Sequence, residues 1–276
     1  MVVIETKGDV RLDLPVWELG GQGVFVKEIQ AAVLDGRADV AVHSAKDLPS
    51  EPTPGLTLSA VPVRADPRDA LVGSRLADLP AGATVATGSV RRRAQLAWLR
   101  PDLSFTSVRG NIGTRMGKVP AGGALVVAAA ALDRLGLDGH AAEILDPTIM
   151  LPQVGQGALG IECRTGDDAT TALLAALDHA DSHLAVRAER AFLAQLGSGC
   201  SLPVGAHATR HGGQLHLGGQ LRLEGLLASV DGRVLLRAHR DGPAAAPEQL
   251  GAALAADLLD GSGGRAVLDL DGAGGR

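Results

Sequence analysis

Thr84-Val85-Ala86-Thr87-Gly88-Ser89-Val90-Arg91-Arg92-Arg93-Ala94-Gln95-Leu96-Ala97-Trp98-Leu99 is the stretch on which the fold class turns. Thr84 to Ala86 has the composition of a short strand. Gly88 permits a turn, and Ser89 is a good N-cap, its oxygen able to accept from a free backbone N–H. Val90 to Leu99 then runs without glycine or proline and reads as a helix. Leu103 to Val108 follows as another strand. Strand, helix and strand in such short order make an α/β unit.

The alternation continues in both directions. Downstream come a short helix from Asn111 to Val119, a buried strand from Ala124 to Ala128 and a helix from Ala130 to Leu135. Upstream, Val2-Val3-Ile4 reads as a strand, and Val24 to Leu34 repeats Phe25, Ile29 and Val33 at helical spacing. Asp39-Val40-Ala41-Val42 is a short strand running into the loop His43 to Pro49, and Leu56 to Val61 alternates like a further strand. The pattern restarts after Arg64-Ala65-Asp66-Pro67, so two doubly wound α/β blocks on largely parallel sheets are expected. Ligands in this class bind in a cleft outside the carboxyl ends of the strands. Asp168 to Leu196 is helical in character. Beyond it the chain becomes strand-like at His216-Leu217, Leu221 to Val230 and Val234 to Ala238, with Asp231-Gly232 as a hairpin turn. A helix from Glu248 to Leu259 closes this third unit, and the glycine-rich tail, Gly261 to Gly264 and Gly272 to Gly275, is expected to fray.

The 276 residues suggest about two domains, with room for three small ones. Hydrophobic content of 46% and charged content of 21% read as a soluble globular chain. With three Phe, two Trp and no Tyr, the cores must be Ala, Val and Leu, and an aromatic platform for nucleic acid is not expected. The net charge of −5 argues against non-specific binding to nucleic acid or anionic membranes. No apolar stretch approaches a membrane span, and no secretory signal is visible. Two cysteines make no disulfide framework and no Cys/His cluster has metal-ligand spacing, so the reading is a cytoplasmic protein without a metal.

Arg91, Arg92 and Arg93 fall in the first turn of the helix after Ser89, where cations oppose the macrodipole at about 0.3–1 kcal/mol each. Three of them at a Gly/Ser-rich helix start point to an anion site, with N–H groups and guanidiniums converging. Val108-Arg109-Gly110-Asn111-Ile112-Gly113-Thr114-Arg115 repeats the idea at a second strand-to-helix turn. Arg134 either joins them or is an ordinary favourable cation at a helix C-terminus. No Gly-Lys-Ser/Thr follows at P-loop spacing, and planar guanidiniums suit carboxylates as well as phosphates. A small ligand with several negative charges is therefore expected. Asp47, beside Lys46 at the end of a strand, serves either a turn or a cationic intermediate in the cleft. Cys163, in Gly160-Ile161-Glu162-Cys163-Arg164, reads as a buried structural thiol. Cys200, in Gly197-Ser198-Gly199-Cys200-Ser201-Leu202-Pro203, reads as a thiol presented on a sharply turned loop.

These stretches resemble the porphobilinogen deaminase (hydroxymethylbilane synthase) family. The resemblance is carried by residues 20–28 (GGQGVFVKE), 38–49 (ADVAVHSAKDLP) and 66–70 (DPRDA). It continues through residues 88–92 (GSVRR), 109–115 (RGNIGTR), 151–158 (LPQVGQGA) and the Cys200 loop. They keep the family's order along nearly the whole chain. The resemblance implies two periplasmic-binding-protein-like domains and a small α+β C-terminal domain. The divisions expected are 1–63 with 158–176, then 64–157, then 177–276. It implies a monomer with porphobilinogen as its small-molecule partner. Four porphobilinogen units would be joined, ammonia leaving each time, on a dipyrromethane cofactor tethered by a thioether to Cys200.

By the same resemblance Asp47 is the catalytic carboxylate, which stabilises the cationic azafulvene left by deamination. Lys46, Asp47, Ser89, Arg91 and Arg92 would contact the cofactor, and Arg109, Arg115, Arg134 and Phe25 the substrate, with Phe25 on a lid segment. Each pyrrole bears acetate and propionate, so the growing product is a polyanion matched to these arginines. The family also has a first strand and helix that would lie ahead of Met1 and give an Arg and a Ser to the site. Their absence leaves a second expectation, a truncated relative that binds polycarboxylates without turnover. Gln22 stands at a lid position often occupied by Lys, and Gly123 and Ala131 stand where Asp and Gly are frequent.

Overall fold

The computed structural model describes Ile4 and residues 26–197, 202–211 and 219–273, the last four by backbone alone. The first unit opens with helix α1 (Lys27–Leu34), strand β1 (Val40–Ser44), a tight 3-10 turn at Ala45–Asp47 and strand β2 (Leu56–Ala60). The second unit holds β3 (Asp69–Val72), β4 (Thr84–Ala86), α2 (Val90–Leu99), β5 (Ser104–Thr106) and α3 (Ile112–Met116). It ends with β6 (Ala124–Ala128), α4 (Ala129–Asp133) and β7 (Ala141–Ile144). The chain then returns to the first unit as β8 (Leu159–Arg164) and α5 (Asp168–Leu174). The third unit is built of α6 (Ala180–Gln195), β9 (Val204–His211), β10 (Gln220–Ala228), β11 (Leu235–Pro243), α7 (Pro247–Ala256) and α8 (Gly264–Ala273).

The second sheet has the order β5-β4-β6-β3-β7 and is covered on both faces. Alternation along its strands sends Leu71, Val85 and Val126 to one core with Leu96, Leu145 and Met150. Ala70, Leu125 and Val127 go to the other, with Val108 and Leu132. This is the doubly wound lobe that the Thr84–Leu99 pattern implies. Helix α2 begins and ends where the sequence places it, with Ser89 as N-cap accepting from the Arg92 backbone N–H.

The expected parallel sheets are only partly present. β4 runs parallel to β5 and β6, whereas β3 is antiparallel to β6 and β7. Among the described residues the first sheet, β1-β8-β2, is antiparallel throughout. The connections explain the difference. β3 and β8 each enter their sheet from the other lobe, not through a helical crossover from a neighbouring strand.

The third unit is the antiparallel meander β11-β10-β9 with α6 and α7 on one side. Its core gathers Phe192, Leu221, Leu223, Leu250 and Leu254, and Phe192 is completely buried. The helical stretch expected over 168–196 is present as α5, a 3-10 turn at Ala175–Leu177 and α6, with a break at residues 178–179. Asp178 accepts from the Val61 N–H at 2.8 Å, and His179 caps α6 through the Ser182 N–H at 3.3 Å. The tail does not fray at Gly264, where α8 starts. The strands β3, β7 and β9 were not separated from loops by pattern alone, and the expected strands at Val2–Val3 and His216-Leu217 lie outside the described residues. At Gly123, just before β6, a Cβ would lie 2.1 Å from the Thr84 carbonyl oxygen, so β4 and β6 close on a backbone with no room for a side chain.

Candidate functional site

Strand β1 ends in the 3-10 turn that carries Lys46 and Asp47. The turn is pinned from the return segment: the Ala45 N–H donates to the Ala158 carbonyl at 3.0 Å, and Gln153 Nε2 donates to the Lys46 carbonyl at 3.4 Å. Gly155, at φ +70°, makes the approach possible, because a Cβ there would sit 2.9 Å from the Ala45 carbonyl carbon. Both charged side chains are half-buried. Burial pushes the Asp47 carboxyl above the usual carboxylate range, while Lys46 and His43 pull it back. Burial lowers the Lys46 ammonium, helped by repulsion from Arg92 and Arg91 and opposed by Asp47 and Asp69.

At the start of α2 the arginines divide. Arg93 is exposed, whereas Arg91 and Arg92 are 3% and 7% exposed and turn inward onto one carboxylate. Arg91 Nη2 donates to Asp69 Oδ2 at 2.8 Å, and Arg92 Nε to Asp69 Oδ1 at 2.9 Å. Burial alone would raise the Asp69 pKa, but Arg91, Arg92 and Gln156 hold it below the usual range. Gln156 Nε2 donates to Asp69 Oδ1 at 2.9 Å and to the Pro67 carbonyl at 2.7 Å. Two guanidiniums on one carboxylate leave a net positive charge, and Arg91 Nε is buried without a hydrogen-bond partner among the described residues.

The second arginine turn joins the same field. Asn111 caps α3 through the Thr114 N–H at 2.9 Å, and Arg115 Nε donates to the Gly110 carbonyl at 2.7 Å. Burial lowers the Arg115 pKa, and Arg92 and Arg109 lower it further by repulsion, so these three cations converge. Arg109 Nη1 is buried and unpartnered among the described residues. Arg134 stands apart at the C-cap of α4, where it donates to the Gly157 carbonyl at 2.8 Å. A cleft lined by Lys46, Ser89, Arg91, Gln153, Leu193 and Leu202 therefore meets all three units. Leu202 is two residues along the chain from Cys200. Cys200 and Phe25 lie outside the described residues.

Sequence reasoning left three groups without a role. Asp69 and Gln156 lie in stretches that carry the resemblance, yet only the structure reveals them as the counter-charge and brace of Arg91 and Arg92. Glu189, fully buried on α6, grips Arg64. His43 and Glu162 form a buried pair next to the Asp47 turn. A buried charge in an apolar run, as in Gly160-Ile161-Glu162-Cys163, is the signal that could have flagged the last pair. Cys163 is fully buried, its Sγ 2.9 Å from Ser59 Oγ, in keeping with a structural thiol.

Five cations (Lys46, Arg91, Arg92, Arg109 and Arg115) thus act on one another or on a shared neighbour, against the carboxylates of Asp47 and Asp69. The orphaned nitrogens of Arg91 and Arg109 suit a ligand bearing several carboxylates, as a dipyrromethane with acetate and propionate arms does. The family model "Porphobilinogen deaminase, dipyromethane cofactor binding domain" matches residues 1–172, and "Porphobilinogen deaminase, C-terminal domain" matches residues 183–260. The porphobilinogen deaminase of Roseiflexus sp. (strain RS-1) is 51% identical over 271 residues, covering 96% of this chain and 86% of its own. That of Roseiflexus castenholzii is 50% identical over 270 residues, with the same coverage. That of Pelobacter propionicus is 48% identical over 270 residues, 96% of this chain and 85% of its own. Among solved structures, YhfZ from Shigella flexneri aligns at 17% identity over 61% of this chain and 74% of its own with a TM-score of 0.29, too slight a likeness to bear on the fold. With both domains matched and half its residues shared with these enzymes across almost its full length, the chain belongs to the porphobilinogen deaminase family.

Proposed function

We propose that this chain joins four porphobilinogen units head to tail into hydroxymethylbilane, with Asp47 as the catalytic carboxylate. The observation that carries this reading is the cleft lined by Lys46, Ser89 and Arg91 next to the Asp47 turn, with Arg92 acting on Lys46 and on Arg115, and Arg109 acting on Arg115. Lys46, Ser89, Arg91 and Arg92 hold the carboxylate arms of the dipyrromethane, and Cys200 is its covalent anchor. When bound, that cofactor supplies the pyrrole end on which the chain grows. Arg109 and Arg115 take the acid groups of incoming substrate, each charge-assisted hydrogen bond contributing about 1.5–3 kcal/mol. Arg134 and Phe25 are assigned to the substrate on the family resemblance.

Asp47 offsets the positive charge that develops on a pyrrole as its aminomethyl carbon loses ammonia. A carboxylate in a partly desolvated cleft does this more strongly than one in water. Burial raises its pKa, and Lys46 and His43 oppose that rise by favouring its charged form. Gln153 and Gly155 hold the turn in place, and the surrounding cations keep the acidic arms from being repelled by Asp47.

The proposed divisions are 1–63 with 158–176, then 64–157, then 177–276, in line with the membership of the three sheets. We read the protein as a monomer, on the family resemblance, and as cytoplasmic, a compartment that its two cysteines suit. Among the described residues no helix is long and apolar enough to cross a membrane. Sedimentation of the purified protein tests the monomer.

Intact mass of the purified protein is the direct test of the reaction. An adduct of two linked pyrroles is expected, and it is lost in Cys200→Ser. Asp47→Ala is expected to keep the adduct and lose turnover. An unmodified parent mass with no gain after adding porphobilinogen would instead favour a relative that only binds polycarboxylates.

A further inference from the structure

Gln153 lies on the segment that returns to the first unit, where the backbone is fixed on both sides of it. The Pro152 carbonyl accepts from the Ala206 N–H of β9 at 3.0 Å, and the Gln153 carbonyl from the Gln156 N–H at 2.9 Å. Glu189 holds the Gly155 N–H at 2.7 Å. The half-buried Gln153 side chain lines the same cleft as Lys46, Ser89, Arg91 and Leu202. Its Nε2 donates to the Lys46 carbonyl at 3.4 Å. That contact sets which way the amide faces, because a carbonyl oxygen takes only a donor. The Oε1 end is left over, and among the described residues no donor reaches it.

Lys46 and Arg91 bring only donors to this cleft, and Ser89 Oγ is engaged as the cap of α2, accepting from the Arg92 N–H at 3.4 Å. Gln153 is the one amide among the described residues that line it. Donors suit the acid arms of a dipyrromethane. They give nothing to its pyrrole N–H groups, which are donors themselves and are costly to bury without an acceptor.

We propose that Gln153 is a cofactor-holding residue, its Oε1 accepting one pyrrole N–H of the dipyrromethane while its Nε2 stays on the Lys46 carbonyl. The assignment rests on the reading of this cleft as the cofactor site. Through the two ends of one amide, the ring is tied to the backbone of the turn that carries Asp47. The rival contact is a hydrogen bond from the second amide N–H to an acid arm. Lys46 and Arg91 already serve those arms with charge, and an acceptor is the scarcer group in this cleft.

The experiment records the pyrrole N–H signals of the loaded, 15N-labelled protein by NMR, identified as those missing from Cys200→Ser, with each adduct verified by intact mass. In Gln153→Leu one pyrrole proton is expected to move upfield and to exchange with D2O about two- to tenfold faster, the ratio set by a hydrogen bond of ordinary net strength. Gln153→Glu keeps an acceptor oxygen and gives up the N–H held by Lys46, and it is expected to retain the protected signal. Pyrrole signals indifferent to Gln153→Leu overturn the proposal. So does a Gln153→Glu variant that loses protection as fully as Gln153→Leu, because the amide then acts through its N–H groups, on the Lys46 carbonyl or an acid arm. If Gln153→Leu does not carry the adduct, Gln153→Met takes its place with the same readings. Loss of the adduct in Leu and Met variants but not in Gln153→Glu supports the acceptor, and loss in all three overturns it. A parent without the adduct removes the reading of the cleft itself. A loaded parent whose pyrrole signals ignore Gln153→Leu removes the Gln153 assignment alone.

Discussion

Arg64 and Glu189 meet in a bidentate pair, Nη1 to Oε1 at 2.6 Å and Nη2 to Oε2 at 3.1 Å, where α6 touches both segments that join the first two units. Arg64 lies on the outgoing segment and donates through Nε to the Gln156 carbonyl on the returning one at 2.8 Å. Glu189 also accepts from the Gly155 N–H at 2.7 Å and from the Ala208 N–H of β9 at 2.9 Å. One buried carboxylate therefore ties the third unit to the crossing point and to the loop that pins Lys46 and Asp47.

Glu189→Gln is expected to cost about 3–5 kcal/mol, because it leaves the Arg64 guanidinium buried without its counter-charge. The double variant Arg64→Met/Glu189→Gln is expected to recover part of that loss, since neither charge then remains uncompensated. Urea midpoints of the two single variants and the double variant check this. Strictly additive losses would show that the pair is not coupled.

Asp69 offers a parallel case with a pH signature. Its pKa is held below the usual range by Arg91, Arg92 and Gln156, so its contribution to stability is complete above its unfolded pKa of about 3.9. That contribution falls away as pH drops through the folded value. Asp69→Asn is expected to cost about 3–5 kcal/mol at neutral pH and to flatten the acid dependence of the urea midpoint below about pH 4. A variant as acid-sensitive as the parent would contradict the triad.

The two arginines also mark where the sequence was legible and where it was not. Ser89, the helix bounds of α2 and the presence of an anion-favouring turn follow from local chemistry, since capping and periodicity are near-neighbour effects. That Arg91 and Arg92 share Asp69 does not, because the three residues are brought together by β3, β4 and β6 lying side by side in one sheet. The direction of β3 and β8 was unreadable for the same reason: strand polarity depends on which lobe the chain comes from. The burial of His43 and Glu162 follows from a diagonal across β1 and β8, strands separated by more than a hundred residues. Cys163 was legible as a core thiol because its own apolar run already describes a buried strand.

Gly155 shows how a loop governs the reacting turn. At φ +70° and with Ala45 and Lys46 backbone atoms about 3 Å from where a Cβ would be, Gly155→Ala meets both torsional strain and a contact with a backbone that cannot swing away. The cost is expected to be at least about 1 kcal/mol. Turnover is expected to fall while the dipyrromethane adduct, read by mass, is retained. Unchanged stability and rate would show that the Ala45–Asp47 turn is not held from this side.

Asp47 itself is expected to be a liability to the fold. Its pKa is raised by burial, beyond what Lys46 and His43 restore, so the folded state binds its proton more tightly than the unfolded chain does. Stability is then lost as pH rises from the unfolded pKa of about 3.9 through the higher folded value, and the loss persists at neutral pH. Asp47→Asn keeps the shape of the side chain and abolishes its ionisation. At pH 7–8 it is expected to unfold at a higher temperature or urea concentration than the parent while losing turnover, a trade typical of groups held charged in a desolvated site. About one pH unit or more below the unfolded pKa of about 3.9 the two proteins are expected to converge, because the parent carboxyl is then neutral in both states. Thermal melts of the loaded parent and variant across that range measure the effect directly, and a variant less stable than the parent at neutral pH would show that Asp47 supports the fold rather than burdening it.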